Sequence, residues 1–158
     1  MVNKISINTL PLTDKKNKFL EMKELKFEEG LSLNSFGEQY NFEGRKFNVG
    51  NSYKILGTTI DFLVEKEIMK IPDYIKIDVD GIEHLILEGG KKTLKSKKIK
   101  SILVEVNEKF KEQKKRVNSI MVTSGFKLTK KLLDKNIPVA EEFSKTFNYI
   151  YERKRKTN

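Results

Sequence analysis

The sequence predicts an α/β fold, with a parallel sheet that carries helices and ends in an antiparallel hairpin at one edge. Between residues 58 and 125, short apolar runs typical of strands alternate with segments whose apolar residues recur at helical spacing. After residue 125, two strand-like runs, 126–131 and 147–153, follow each other without a helical segment between them. A connection of about fifteen residues that lacks a crossover helix favours antiparallel pairing of these last two strands.

The first third of the chain gives weaker signals. Residues 4–10 (KISINTL) alternate between apolar and polar side chains and predict a strand. Residues 18–27 predict another strand or one arm of a hairpin. Residues 28–53 are rich in Gly, Asn and Ser, with aromatic residues between them, and indicate a loop-rich segment with or without short strands. Those aromatic residues either line a substrate pocket or form a small cluster under the loop.

The elements of the central segment follow in order. The pattern Thr58-x-x-Asp61 resembles a capping box and predicts a helix through Ile68 that Pro72 ends. The run 74–79 predicts a buried strand. It is followed by a short helix up to the Gly89-Gly90 pair and by a second short helix over 91–96. The run 101–106 (SILVEV) predicts a further strand, and the spacing from Phe110 onward predicts a helix that Gly125 ends.

Composition limits the class of protein. The chain has 158 residues, a net charge of +10, 37% hydrophobic residues and no cysteine. The length suits one domain, and the lack of cysteine excludes a disulfide framework or a thiolate metal site. No run approaches the ~18 apolar residues of a membrane span, and the N-terminus lacks the apolar stretch of a secretory signal, so we expect a cytoplasmic protein.

The basic residues favour a solvated surface over nucleic-acid binding. Only four of the 32 basic residues are Arg, although base reading and bidentate phosphate contacts favour Arg. The basic run 91–100 carries no aromatic residue on which single-stranded bases could stack. Binding of nucleic acid or another polyanion stays open as an alternative, and its affinity would fall steeply with salt.

Polar residues collect where two predicted strands end. Lys76, Asp78 and Asp80 recur at period two in and after the run 74–79, a strand expected to be almost continuously apolar. Glu105 and Asn107 close the next predicted strand. Ligands of open α/β sheets bind beyond the carboxyl ends of the strands, so these side chains predict a polar crevice there. Helix capping would account for Asp80 but does not account for Asp78 or Lys76.

The chain resembles the FkbM-type methyltransferases from about residue 5 to 153. The family signature, K-I-D-V-E-G-x-E followed by a short helix and a Gly pair, corresponds to Lys76–Glu83 and Gly89-Gly90. Further segments agree in the same order: Thr58-Thr59-Ile60-Asp61, Ile102–Asn107, Gly125-Phe126 and Phe147–Tyr151. Several matching elements in order are more specific than a single motif.

This resemblance implies an S-adenosylmethionine-dependent O-methyltransferase that acts on a hydroxyl of a sugar or secondary metabolite. It implies a Rossmann-like class I methyltransferase sheet with a C-terminal antiparallel edge hairpin. In this picture the catalytic residues are Asp78, Glu83 and Lys76, with Asp78 as the base for the acceptor hydroxyl. The substrate-binding residues are Asp80, Glu105 and Asn107. Lys76 is expected to be buried and paired with Asp78 or Glu105.

Two departures from the family pattern change what we expect. Asp80 stands where the family has Glu. No D-x-G-A-N-x-G-like loop is present, and residues 3–14 resemble the third strand of the sheet. We therefore expect an incomplete sheet over residues 1–153, a basic tail over 154–158, and weak or absent binding of S-adenosylmethionine by this chain alone. A non-catalytic fragment, or a subunit that needs a partner chain, is the alternative. An open sheet edge would favour self-association.

Metal binding is a minor alternative. Carboxylates at 78, 80 and 105 could hold Mg²⁺, but such clusters also bind substrate hydroxyls, and we predict no metal site. His84 is the only histidine, so no His-based metal cluster or catalytic triad can form within the chain. A His packed on its helix or facing solvent is expected.

Overall fold

The computed structural model describes residues 5–24, 26, 34–46, 50–133 and 145–154, and its strands form two sheets. The first sheet has the order β2-β1-β3 and antiparallel pairing: β1 Lys18–Glu24, β2 Ser35–Phe36 and β3 Asn51–Gly57. The second has the order β4-β5-β7-β6: β4 Tyr74–Ile77, β5 Ser101–Asn107, β6 Phe126–Leu132 and β7 Thr146–Arg153.

Helical segments connect β3 to β4, β4 to β5 and β5 to β6. They are α1 Ile60–Glu65, α2 Glu83–Glu88, α3 Lys111–Thr123 and a 3₁₀ turn over Thr93–Lys95. The helix α3 ends before Gly125, whose φ of +86° suits glycine, as predicted. The structure is therefore a mixed α/β fold. The finer prediction, a Rossmann-like sheet that lacks its first strands, stays a prediction.

The pairing in the second sheet confirms the predicted directions. β4 and β5 are parallel, with Lys76 opposite Leu103. β6 and β7 are antiparallel, and β6 lies at the edge. The strand β7 also pairs antiparallel with β5, so the last described strand lies inside the sheet, between β5 and β6. Among the described strands, β4 forms the opposite edge of this sheet.

The core lies on one face of β5. Ile102, Val104 and Val106 are fully buried there and join one hydrophobic cluster with residues of α2 and α3. Arg153, at the end of β7, connects three backbone segments at one end of this core. Its guanidinium donates to the backbone carbonyls of Leu94, Ile99 and Ser124 at 2.7, 2.8 and 2.9 Å.

Several predicted elements differ from the structure. Residues 5–10 form no strand, and Ile5 and Ile7 are exposed. The prediction of a third sheet strand in the segment 3–14 is therefore wrong for its described residues, where only Leu12 makes an isolated parallel bridge, to Thr58. The strand β3 was not predicted beyond residue 53, because most of its side chains are exposed and give no buried period-two pattern.

The ends of some elements also differ from the predicted ones. The helix α1 ends at Glu65, so Pro72 does not terminate it, and β4 ends at Ile77 rather than at residue 79. The N-cap of α1 is Thr59, whose hydroxyl accepts from Phe62 N–H at 3.1 Å, so the predicted capping box at Thr58 is wrong by one residue.

Asp61 serves a different helix. Its carboxylate accepts the N–H groups of Lys92 and Thr93, at 3.0 and 2.7 Å, and thereby caps the 3₁₀ turn. The predicted second short helix over 91–96 is this single turn. Three predicted features lie outside the described residues: the loop that contains Pro138, the aromatic residue Phe47, and most of the basic tail.

Candidate functional site

A polar crevice lies beyond the carboxyl ends of β4 and β5. Its volume is about 430 Å³, within the range of small-molecule sites. Its lining comprises Phe42, Asp78, Val79, Asp80, Gly81, Glu83, Glu105, Asn107, Gln113 and Thr146. The structure thus brings together five of the six predicted site residues in one cavity, and only Lys76 lies outside it.

An apolar groove of about 570 Å³ adjoins the crevice along β4. Its walls come from α1, β4 and α2, from the segments on either side of β4, and from Leu12 near the N-terminus. They comprise Leu12, Ile60, Met69, Pro72, Tyr74, Ile75, Lys76, Ile77, Asp78, Val79 and Ile86. Asp78 and Val79 line both cavities. The carboxylate of Asp78 therefore lies where an apolar space meets a polar one.

Lys76 and Asp78 form an ion pair at 2.7 Å, which confirms the predicted pairing. The hydrogen bond with Asp78 raises the pKa of Lys76. The predicted burial of Lys76 is wrong, since 65% of its side chain is exposed. The reason is that β4 lies at an edge of the described sheet, so its face around Lys76 is open instead of covered.

Glu83, the first residue of α2, is completely buried and has its carboxylate held on several sides. One oxygen accepts the N–H groups of Val79 and Gly81, at 3.2 and 3.4 Å, and the other accepts from Gln113 Nε2 at 2.5 Å. Burial outweighs these donors and raises the pKa of Glu83 to about 8. The contacts tie the turn after β4 to α3, and a catalytic role for Glu83 stays a prediction.

Glu105 lies half-buried on the crevice wall. Burial, and then the negative charges of Asp78 and Asp80, raise its pKa to about 7. Asp80 Oδ2 accepts the backbone N–H of Asn34 at 3.1 Å, so this carboxylate also fastens the segment that enters β2. The crevice therefore carries a concentration of acidic groups in a protein of net charge +10.

Asn107 is 3% exposed and takes part in a buried polar network. Its backbone N–H donates to Gln113 Oε1 at 3.0 Å, and its own Oδ1 accepts from Lys109 N–H at 2.9 Å. The sequence interpretation did not include Gln113 or Thr146. Gln113 stands on the buried face of α3, among apolar positions, and a buried amide in such a stripe was the available signal.

An aromatic cluster holds the segment that carries Phe42. Tyr40 stands edge-on to Phe110 with ring centroids 5.1 Å apart, and His84 packs against both rings. His84 is 1% exposed, and its Nε2 lies 3.3 Å from the Tyr40 hydroxyl. Burial lowers the pKa of His84 to about 4. Of the two expected placements of His84, exposure to solvent is wrong, and the ring is packed against side chains from outside its own helix.

Two kinds of feature are absent from the described residues. No group of three or more His, Asp or Glu side chains in the described part of the chain is arranged to hold a metal ion. Likewise, no described helix has the length and apolar character needed to cross a membrane.

Comparison with known proteins gives one result. No curated protein and no solved structure matches the chain significantly. The model of the methyltransferase FkbM domain, in contrast, matches residues 5–152, which include every residue of the polar crevice and of the apolar groove. The chain belongs to the FkbM methyltransferase family.

Proposed function

We propose that this protein is an O-methyltransferase whose acceptor, a hydroxyl of a sugar or secondary metabolite, binds in the polar crevice. The observation that carries this proposal is the position of Asp78, which lines both the crevice and the apolar groove. O-methyl transfer needs the acceptor hydroxyl in line with the donor's methyl group, in adjoining spaces, and a proton acceptor beside that hydroxyl. The family membership supplies the reaction class.

Asp78 takes the proton of the acceptor hydroxyl in this proposal. Positioned general-base help of this kind contributes about 10²–10⁴ in rate. Lys76, at 2.7 Å, fixes the orientation of the carboxylate from the groove side. Asp80, Glu105 and Asn107 bind the other hydroxyls of the acceptor. Glu83 acts through the turn after β4, because its carboxylate holds Val79 and Gly81.

S-adenosylmethionine, the methyl donor we propose, would supply an electrophilic methyl group. The described residues do not form a complete site for it. The groove offers an apolar wall and the Asp78 carboxylate. However, β4 has no described neighbour on its outer side that could bring a second acid for the ribose hydroxyls. The residues of the crevice therefore act on the acceptor and not on the donor in this proposal.

The first test is calorimetric titration of S-adenosylmethionine into the purified chain. A dissociation constant below about 1 mM, or roughly 4 kcal/mol of binding free energy, supports the enzyme. Absence of binding at that level would mean that the chain needs further structure or a partner for transfer. Transfer is then measured in a complex of this chain with a partner that supplies the donor side.

Substitution of Asp78 tests the base. In the transfer-competent protein, Asp78→Asn should lower the rate by about 10²-fold or more while the melting temperature stays nearly unchanged. Asp73→Asn is the matched control, because Asp73 pairs with Lys100 at 2.9 Å and lines neither cavity. Equal activity of both variants per folded molecule would show that Asp78 is not the base.

A further inference from the structure

Unpartnered polar atoms concentrate on one patch of the second sheet. Six buried side-chain oxygen or nitrogen atoms of the described residues have no hydrogen-bond partner. Three of them belong to neighbouring residues on β5 and β7: Asn107 Nδ2, Thr146 Oγ1 and Asn148 Oδ1. A buried polar group without a partner is costly, so several of them at one place are groups that bound water or a ligand satisfies.

The register places two of these atoms side by side. Asn107 is the cross-strand partner of Thr146, and directly opposite side chains share a face with Cβ atoms about 4.5–5.5 Å apart. Both residues line the polar crevice. The orientation of the Asn107 amide is fixed, because its Oδ1 accepts from Lys109 N–H. What Asn107 presents is therefore its Nδ2 donor.

Charge narrows the class of ligand. The carboxyl groups of Asp78, Asp80 and Glu105 line the same crevice and would repel a phosphate or carboxylate. An ammonium group could face these acids, but it has no lone pair to accept a hydrogen bond from Asn107 Nδ2. A hydroxyl group can do both, since it accepts from an amide and donates to a carboxylate.

We propose that Asn107 and Thr146 form a subsite for two adjacent hydroxyls of an uncharged polyol, the vicinal diol of an unphosphorylated sugar. One hydroxyl accepts from Asn107 Nδ2, and the other bonds the Thr146 hydroxyl. This subsite deepens the proposed function, because it selects the acceptor whose further hydroxyl reaches Asp78. It assigns Thr146 a specificity role that no sequence motif indicated.

Nuclear magnetic resonance of the ¹⁵N-labelled protein tests the subsite without any methyl donor. The probes are the methyl α-glycosides of glucose and mannose, with glucose 6-phosphate and glucosamine for comparison. We expect a neutral glycoside to shift the side-chain amide signal of Asn107, which is identified by its loss in Asn107→Asp. The sugar phosphate should leave that signal in place at the same concentration.

Substitutions separate binding from folding. Thr146→Val removes a hydroxyl that has no partner among the described residues, so the melting temperature should stay equal or rise while glycoside affinity falls about fivefold or more. Thr146→Ser should restore the affinity. Thr123→Val is the control, because the Thr123 hydroxyl bonds the Ser119 carbonyl on α3 and lies outside the crevice.

Three results would overturn the subsite. They are no shift of the Asn107 amide by either glycoside at roughly 100 mM, equal affinity in Thr146→Val, or tighter binding of glucose 6-phosphate or glucosamine than of both glycosides. The outcome is independent of the proposed reaction. Glycoside binding together with no methyl transfer by the transfer-competent complex would refute the enzyme but keep the subsite. Methyl transfer by that complex, together with no shift of the Asn107 amide by either glycoside, would keep the enzyme and refute the subsite.

Discussion

Glu105 shows how neighbouring carboxylates change one another within the crevice. Burial and the charges of Asp78 and Asp80 raise its pKa to about 7, so near neutral pH it is divided between two protonation states. A protonated Glu105 can donate a hydrogen bond to a substrate oxygen, whereas the ionised form can only accept. The hydrogen-bonding pattern of the crevice therefore changes within the physiological range of pH.

The raised pKa has a measurable effect on stability. The folded protein holds the Glu105 proton up to about pH 7, whereas the unfolded chain releases it near 4.5. The folded state therefore binds more protons in this window, so this residue's contribution to the free energy of unfolding decreases as pH rises from about 4.5 to about 7. Glu105→Gln should remove that decrease. Urea denaturation at several pH values measures it.

Glu108→Gln is the matched control for this experiment. Hydrogen bonds from Lys114, Lys131 and Tyr149 lower the pKa of Glu108 to about 2, well below the window. Its substitution should therefore change stability by a constant amount between about pH 5 and 8. If the free energies of unfolding of wild type and Glu105→Gln also differ by a constant amount over this pH range, the raised pKa of Glu105 is contradicted.

At the scale of elements, the turn between β4 and α2 shapes the crevice through close backbone packing. Gly81 has a φ of +100°, and a Cβ atom there would lie 2.7 Å from the Cα of Phe42. The turn and the 40–46 segment therefore meet backbone to backbone, which only glycine permits. The aromatic cluster of Tyr40, His84 and Phe110 holds the other side of this contact.

Two glycine substitutions separate strain from crowding. Gly81→Ala should lower the free energy of unfolding by about 3 kcal/mol, since it adds steric overlap to the ~1–2 kcal/mol of a left-handed alanine. Gly125→Ala should cost only the latter, because Gly125 has a φ of +86° but its Cβ would come no nearer than 3.4 Å, to Arg153 Nη1. If Gly81→Ala and Gly125→Ala have equal midpoints of thermal unfolding, the steric overlap expected at position 81 is contradicted.

The sequence predicted those elements in which one face is buried, because burial of one face makes apolar residues recur at a regular spacing. The runs at β5 and α3, and the parallel pairing of β4 with β5, are of this kind. Lys76 was misplaced because the pattern of a strand does not reveal whether the strand is central or at an edge. Similarly, Ile5 and Ile7 alternate as in a strand but find no partner among the described residues. Thr146 was not predicted as a site residue, because it lies beside Asn107 only through the pairing of β5 with β7, which the sequence pattern does not show.

For the whole molecule, the open side of β4 predicts association. This strand has a described neighbour only on the β5 side, and the apolar groove runs along it. Exposed strand edges pair with other chains, although a lysine such as Lys76 opposes this. We expect light scattering at moderate salt to show a mass that grows with protein concentration, despite the net charge of +10. A monodisperse monomer would contradict this expectation.

The place of β7 also dictates an order of events during protein synthesis. Thr146–Arg153 is the last described strand to leave the ribosome, yet it lies between β5 and β6. Until it emerges, these two strands lack their common partner. The backbone carbonyls of Leu94, Ile99 and Ser124 also lack the Arg153 guanidinium that donates to them. A nascent chain would meanwhile leave the backbone N–H and C=O groups along the edge of β5 that pairs with β7 unpaired and open to other chains or chaperones. The second sheet can therefore close only after residue 153 has been translated, whatever the folding speed of its earlier parts.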